Sequence, residues 1–150
     1  MTYKQLREIL DYVRHVHRQA AVYCGDSANA GDERRRLLAD FYEQREQALA
    51  GWLASLRNDE QTAVLDAWVQ YVPNEGVDEA LTALRRAQDQ GSLATSKGCL
   101  RLQEEIIRLV RQLADTLNMP PVHDILLALA AGEEHALKQL ALADATQGDV

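Results

Sequence analysis

Between Asp32 and Leu56 the chain reads DERRRLLADFYEQREQALAGWLASL, with no proline and one late glycine. Its apolar residues, Leu38, Phe41, Tyr42, Ala48, Leu49, Trp52, Leu53 and Leu56, recur at steps of three and four. That is the period of one face of an α-helix, so the stretch predicts a long amphipathic helix. In the middle of the stripe, where another apolar residue is due, stand Arg45 and Glu46. Charges there hold a metal, hold each other or turn to water, and this choice separates the functional readings below.

The rest of the chain follows the same pattern. Residues 2–24 predict a first helix with Leu6, Ile9, Leu10, Val13, Val16, His17, Ala20, Tyr23 and Cys24 inward, closed by Gly25 as a C′ glycine. The small polar loop 25–31 precedes Asp32, an N-cap candidate. Residues 92–117 predict a third long helix with stripe Cys99, Leu100, Gln103, Ile106, Ile107, Val110, Leu113 and Leu117. After Pro120-Pro121, residues 121–145 predict a fourth, with Val122, Ile125, Leu126, Leu129, Glu133, Leu137 and Leu140 on its main face, and a tail from Thr146 that frays. Alanines and further leucines make this helix apolar on more than one side, which implies a central position or a second contact surface. Residues 57–91 carry two short helical segments, Ala63 to Tyr71 and Val77 to Gln90, with a capping-box-like Asn58-Asp59-Glu60-Gln61 ahead and Val72-Pro73-Asn74 between them. Each is too short to stand as a bundle partner. The expected architecture is all-α: one domain over 1–150, four long helices and one crossover containing two short helices. If the crossover climbs the bundle, helices two and three run parallel, and Cys24 and Cys99 come to the same end. The alternative is a six-helix up-and-down array in which the short helices cap one end.

Composition removes several classes. With 16 Lys and Arg against 23 Asp and Glu, the formal net charge is −7, the wrong sign for a general nucleic-acid binder. The longest apolar run, Ile125 to Ala131, is too short to cross a bilayer. The charged N-terminus does not read as a secretory signal, so the expectation is a cytoplasmic protein with Cys24 and Cys99 as free thiols. Arg34-Arg35-Arg36 reads as a solvated basic run, His15 and His123 as surface histidines, and Trp52 and Trp68 as core or crossover anchors.

The segments LLADFYEQREQALAGWL and LAAGEEHALKQLALA resemble the helices that carry Glu-x-x-His in the ferritin-like superfamily, which holds bacterioferritins and rubrerythrins. LDAWVQYVP resembles a group of small bacterial proteins called ferritin-like. By helix layout the resemblance covers Thr2 to Ala145. It implies a four-helix bundle with one long crossover. It also implies a two-metal site built from a Glu on each of two helices and Glu-x-x-His on each of the others. The sequence departs from that ligand set. Helix two has no His and offers Glu43-x-x-Glu46; on helix four, Gly132 stands three residues before His135; Arg45 would repel divalent ions.

His17, Arg45, Gln103 and Glu133 each interrupt an apolar stripe near mid-helix. Singly, each snorkels to water. Together, they form an inner polar cluster in which Arg45 needs an anion, Glu133 or Glu46. Charge pairing then replaces metal ligation. The leading reading is thus a non-catalytic ferritin-like bundle, without cofactor, acting as a structural or interaction protein, with itself as partner in a homodimer. The alternative is a di-iron or di-manganese carboxylate protein, an oxidoreductase or iron handler, with Glu43, Glu46, Glu104, Glu133 and His17 as ligands. A third reading is a small-molecule sensor with a pocket around His17 and Gln103.

Overall fold

A computed structural model describes residues 2–25, 32–58, 62–71, 75–116 and 119–148. The order is β1 (Thr2–Gln5), α1 (Leu6–Cys24), α2 (Glu33–Asn58), α3 (Thr62–Leu65), β2 (Trp68–Tyr71), α4 (Glu75–Ala87), a 3₁₀ turn (Gln88–Gln90), α5 (Ser92–Asp115) and α6 (Pro120–Gly148). Among the described residues the protein is all-α apart from one two-stranded ribbon. Among the described residues no helix is long and apolar enough to cross a membrane.

Side-chain pairs fix the directions of the long helices. Arg14 and Arg18 of α1 meet Glu46 of α2, while Cys24 and Arg35 meet near the turn, so α1 and α2 are antiparallel. Ser96 meets Asp144, Gln103 meets Glu133, and His123 meets the Ala114 carbonyl, so α5 and α6 are antiparallel. The connection from α2 to α5 climbs from one end to the other. Consequently α2 and α5 run in the same direction, with α4 returning between them, so successive rods alternate and the short helices do not cap one end as the up-and-down alternative had them. One continuous core of Leu, Ile, Val, Ala and Tyr side chains lies between the rods.

Three expectations need correction. First, residues 2–5 and 68–71 are strands, not helix. β1 and β2 pair antiparallel from Thr2↔Tyr71 to Gln5↔Trp68, and Leu6 N–H continues the ladder to the Ala67 carbonyl at 2.9 Å. Thr, Tyr, Trp and Val suit a pleated surface, and the pairing satisfies backbone groups that so short a helix would leave open. Trp68 faces solvent here, 62 % exposed, and is not an anchor. Second, α4 does pack as a rod. It buries Val77, Ala80, Leu84 and Ala87 against α1 and α5. Gly98 of α5 allows that approach, since a Cβ there would sit 3.1 Å from Leu84 Cδ1. Third, the last helix extends through Gly148, past the expected end at residue 145.

Caps fit the local chemistry. Asp32 Oδ1 accepts from the Arg35 N–H at 3.3 Å at the start of α2. Gly91, at φ 100°, joins the 3₁₀ turn to α5 in a conformation that favours glycine. Gly25 is not the left-handed C′ residue expected: its φ is −88°, and its N–H donates to the Ala21 carbonyl. The expected capping box at 58–61, the loop 26–31, the break at 72–74 and the end of helix three at 117–118 lie wholly or partly outside the described residues.

Candidate functional site: a buried carboxylate and its partners

The four residues that interrupt the inner stripes come from four different helices and meet at one carboxylate. Glu133 of α6 is fully buried, as are His17 of α1 and Gln103 of α5. Arg45 of α2 donates from Nη2 to Glu133 Oε1 at 3.2 Å. His17 Nε2 lies 3.0 Å from the same oxygen. Gln103 Nε2 donates to Glu133 Oε2 and to the Glu133 backbone carbonyl, the latter at 3.1 Å. Arg45 is the most open member, with a side chain 20 % exposed.

The local sequence explains why these side chains reach inward. Each occupies a stripe position set by its apolar neighbours, so helix packing carries it to the centre. Gly132 lies beneath the guanidinium, and a Cβ there would come 3.6 Å from Arg45 Nη2. The position where Glu-x-x-His would require a ligand thus holds a glycine against an arginine, while His135 is exposed. Tyr42 closes the cluster toward one end. Its ring centroid is 6.1 Å from that of His17, and its hydroxyl donates to the Cys99 carbonyl at 3.0 Å.

Burial alone would raise the Glu133 carboxyl. The close His17, the charge of Arg45 and the Gln103 hydrogen bond outweigh it and hold its pKa down to about 2, from an ordinary 4.5. The His17 contact is close in distance but off the line of an N–H bond. His17 Nε2 therefore joins His17 Nδ1, Arg45 Nε and Gln103 Oε1 as buried polar atoms without a hydrogen-bond partner. A carboxylate kept ionised, with both oxygens engaged, is a weak proton acceptor and serves as a counter-ion. The cluster is also reached from outside. A groove of about 250 Å³ between α2 and α6 runs down to Arg45, walled by Leu49, Trp52, Leu129 and Gly132.

Of the alternative metal set, only His17 and Glu133 come together. Glu43 and Glu104 are exposed. Glu46 is turned to α1, with Oε1 2.8 Å from Arg14 Nη2 and 3.2 Å from Arg18 Nε. Among the described residues no group of three or more His, Cys, Asp or Glu is placed to hold a metal ion.

Sequence reading missed a second polar centre. Arg35, expected on a solvated face, is 2 % exposed. Its Nε donates to the Cys24 carbonyl at 3.0 Å, Nη2 to the Tyr23 carbonyl at 3.2 Å and Nη1 to the Gln88 carbonyl at 2.9 Å. It caps the C-terminus of α1 and ties the 3₁₀ turn to it. His123, also expected at the surface, is half-buried with Nδ1 2.7 Å from the Ala114 carbonyl near the end of α5. Residue type alone did not signal either role, because the partners are main-chain carbonyls of other elements.

No family model, no curated protein and no solved structure matches the chain.

Proposed function

We propose that this protein is a ferritin-like bundle in which a charge pair occupies the place of a two-metal centre, and that it works as a non-catalytic structural or interaction protein. The observation that carries this reading is the saturation of Glu133 by Arg45, His17 and Gln103. The one-crossover course of the chain and the antiparallel long pairs support the ferritin-like layout. The residues at the centre do not fit a two-metal carboxylate site. An arginine sits on the buried carboxylate of Glu133, and the other acidic candidates face solvent or hold arginines of α1.

The partner we propose is a second copy of the chain, seated on α6. That helix leaves Leu127, Ala128, Ala131, Ala141 and Leu142 exposed, with Leu142 at 70 %. A two-fold contact would cover this surface, and alanines let helix backbones approach closely.

Metal analysis of protein purified without chelators tests the first part. Trace, non-stoichiometric metal is expected; stoichiometric iron or manganese overturns the charge-pair reading in favour of the carboxylate-metal alternative. Light scattering over a concentration series tests the second. A dimer is expected, and a monomer at high concentration removes the α6 contact.

A further inference from the structure

We infer that Cys24 and Cys99 form a built dithiol that closes to an intramolecular disulfide in the folded protein under a hydroperoxide oxidant. Their sulfurs lie 3.1 Å apart across 75 residues of sequence, and both side chains are fully buried. A disulfide needs a separation near 2.05 Å, so closure asks for roughly 1 Å of movement. Cys24 is the last residue of α1, where a side chain shifts at less cost than in mid-helix.

The surroundings hold the two thiols in register. Arg35 grips the Cys24 carbonyl at 3.0 Å, and Tyr42 grips the Cys99 carbonyl at 3.0 Å. Both gripping residues belong to α2, so one helix fixes the backbone at both cysteines. Positioning of that kind raises the effective concentration of one thiol at the other far above that of any thiol in solution. It favours a bond within the chain over one between chains.

The oxidant class follows from burial. Neither thiol has surface open even to water, so the oxidant must enter through a local opening, and hydrogen peroxide, close in size to water, needs a far smaller opening than a bulky disulfide. Either sulfur can react first. Where Cys24, the last residue of α1, leads, its sulfur, as thiolate, attacks one peroxide oxygen. The O–O bond breaks, a sulfenic acid forms, and the departing hydroxide takes a proton to become water. Cys99 Sγ then attacks the Cys24 sulfur. The S–O bond breaks, the Cys99 proton goes to the departing oxygen, and a second water leaves. In sum, two thiols and one peroxide give one disulfide and two waters. The product staples the end of α1 to the first half of α5.

The experiment uses the full-length reduced chain, exposed to hydrogen peroxide, then unfolded, alkylated with a maleimide and weighed intact and after proteolysis. The expected result is loss of two hydrogens, no maleimide uptake, and a Cys24–Cys99 cross-linked peptide that a reductant cleaves. The melting temperature should rise by about 5–15 °C on oxidation, as expected for closing so long a loop. Cys24→Ser and Cys99→Ser should each abolish the mass loss and the thermal shift. Two maleimides on the peroxide-treated wild type would overturn the inference. So would sulfinic or sulfonic products in place of the bond, a cross-link between chains, or a bond that forms only when the oxidant is added in urea. Because the mass readout is taken on the wild type, a variant that folds poorly leaves the result decisive.

Discussion

Two arginines on α2 enter the interior, and they are held in opposite ways. Arg35 gives its hydrogen bonds to three main-chain carbonyls, two of them at the negative end of α1. Arg45 gives its bond to one buried carboxylate and leaves Nε unpartnered. The first guanidinium is neutralised by dipoles that do not titrate; the second depends on a group that gains a proton in acid. Burial of a cation is costly in both places. At Arg35 the cost is offset by three charge-assisted hydrogen bonds that the backbone supplies in any folded molecule. At Arg45 it is offset only while Glu133 stays ionised. One arginine is therefore built into the fold, and the other makes the centre of the fold conditional on charge.

The largest expected effect lies at Arg35. Arg35→Met leaves three carbonyl oxygens without their donor and should cost about 3–5 kcal/mol, at the scale of several unsatisfied buried acceptors. Arg35→Lys should recover less than half of that, since an ammonium cannot present the planar fork that reaches three acceptors. Urea unfolding near neutral pH measures both. If the comparison is right, the cost of Arg35→Met is the same at about pH 4 as at about pH 7, because no titrating partner is involved. A cost that fades with acid would place a carboxylate in the role assigned to the carbonyls.

Arg45 should give a smaller and conditional loss. Arg45→Met leaves Glu133 buried with only His17 and Gln103, at about 2–4 kcal/mol, the lower range because Arg45 is partly exposed. Adding Glu133→Leu removes the stranded charge, so the double variant should be more stable than Arg45→Met alone. If the double variant is the worse of the two, the pairing does not govern the centre. The pH dependence carries the same contrast. Glu133 is depressed in the folded state, so its contribution is complete above its unfolded value of about 4.5 and disappears as pH falls through about 2. A shift of that size corresponds to roughly 3 kcal/mol. Unfolding free energy should drop between about pH 5 and about pH 2, and Glu133→Gln should flatten that limb while lowering stability at neutral pH.

How much of this was legible follows from what each residue interrupts. The long helices announce themselves through apolar steps of three and four, because packing against a core selects for that period. His17, Arg45, Gln103 and Glu133 were legible for the same reason: each breaks a stripe whose other members are apolar, so the break points inward. Arg35 was not legible, since it stands between Arg34 and Arg36 and its acceptors are carbonyls that any sequence possesses. The ribbon between 2–5 and 68–71 was hidden by distance along the chain. Neither strand has a hairpin turn beside it, and its pairing depends on the crossover returning to the start of α1. The packing of α4 was misjudged by length, although Val77, Ala80 and Leu84 already spelled one buried face. Direction of the crossover is a property of the assembled rods, and Cys24 against Cys99 is where it becomes visible.

Glu46 sharpens the comparison from the outside. It is the next residue along α2 and, like Glu133, meets two basic side chains, here Arg14 and Arg18. Burial acts to raise its carboxyl, and the two arginines outweigh that and lower it. The difference lies in the surroundings: the Arg18 side chain is 57 % exposed, so water and salt share the work of neutralising the pair. Glu46→Gln should therefore cost about 0.5–1 kcal/mol, within the range of surface ion pairs. That cost should shrink when salt is raised to about 1 M, where screening reaches only about 3 Å. The loss from Arg45→Met should persist at the same salt, because counter-ions do not enter a fully buried carboxylate site. Equal salt sensitivity of the two variants would mean that Glu133 is wetter than its packing indicates, and the distinction between a charge held by the interior and one held at the surface would collapse.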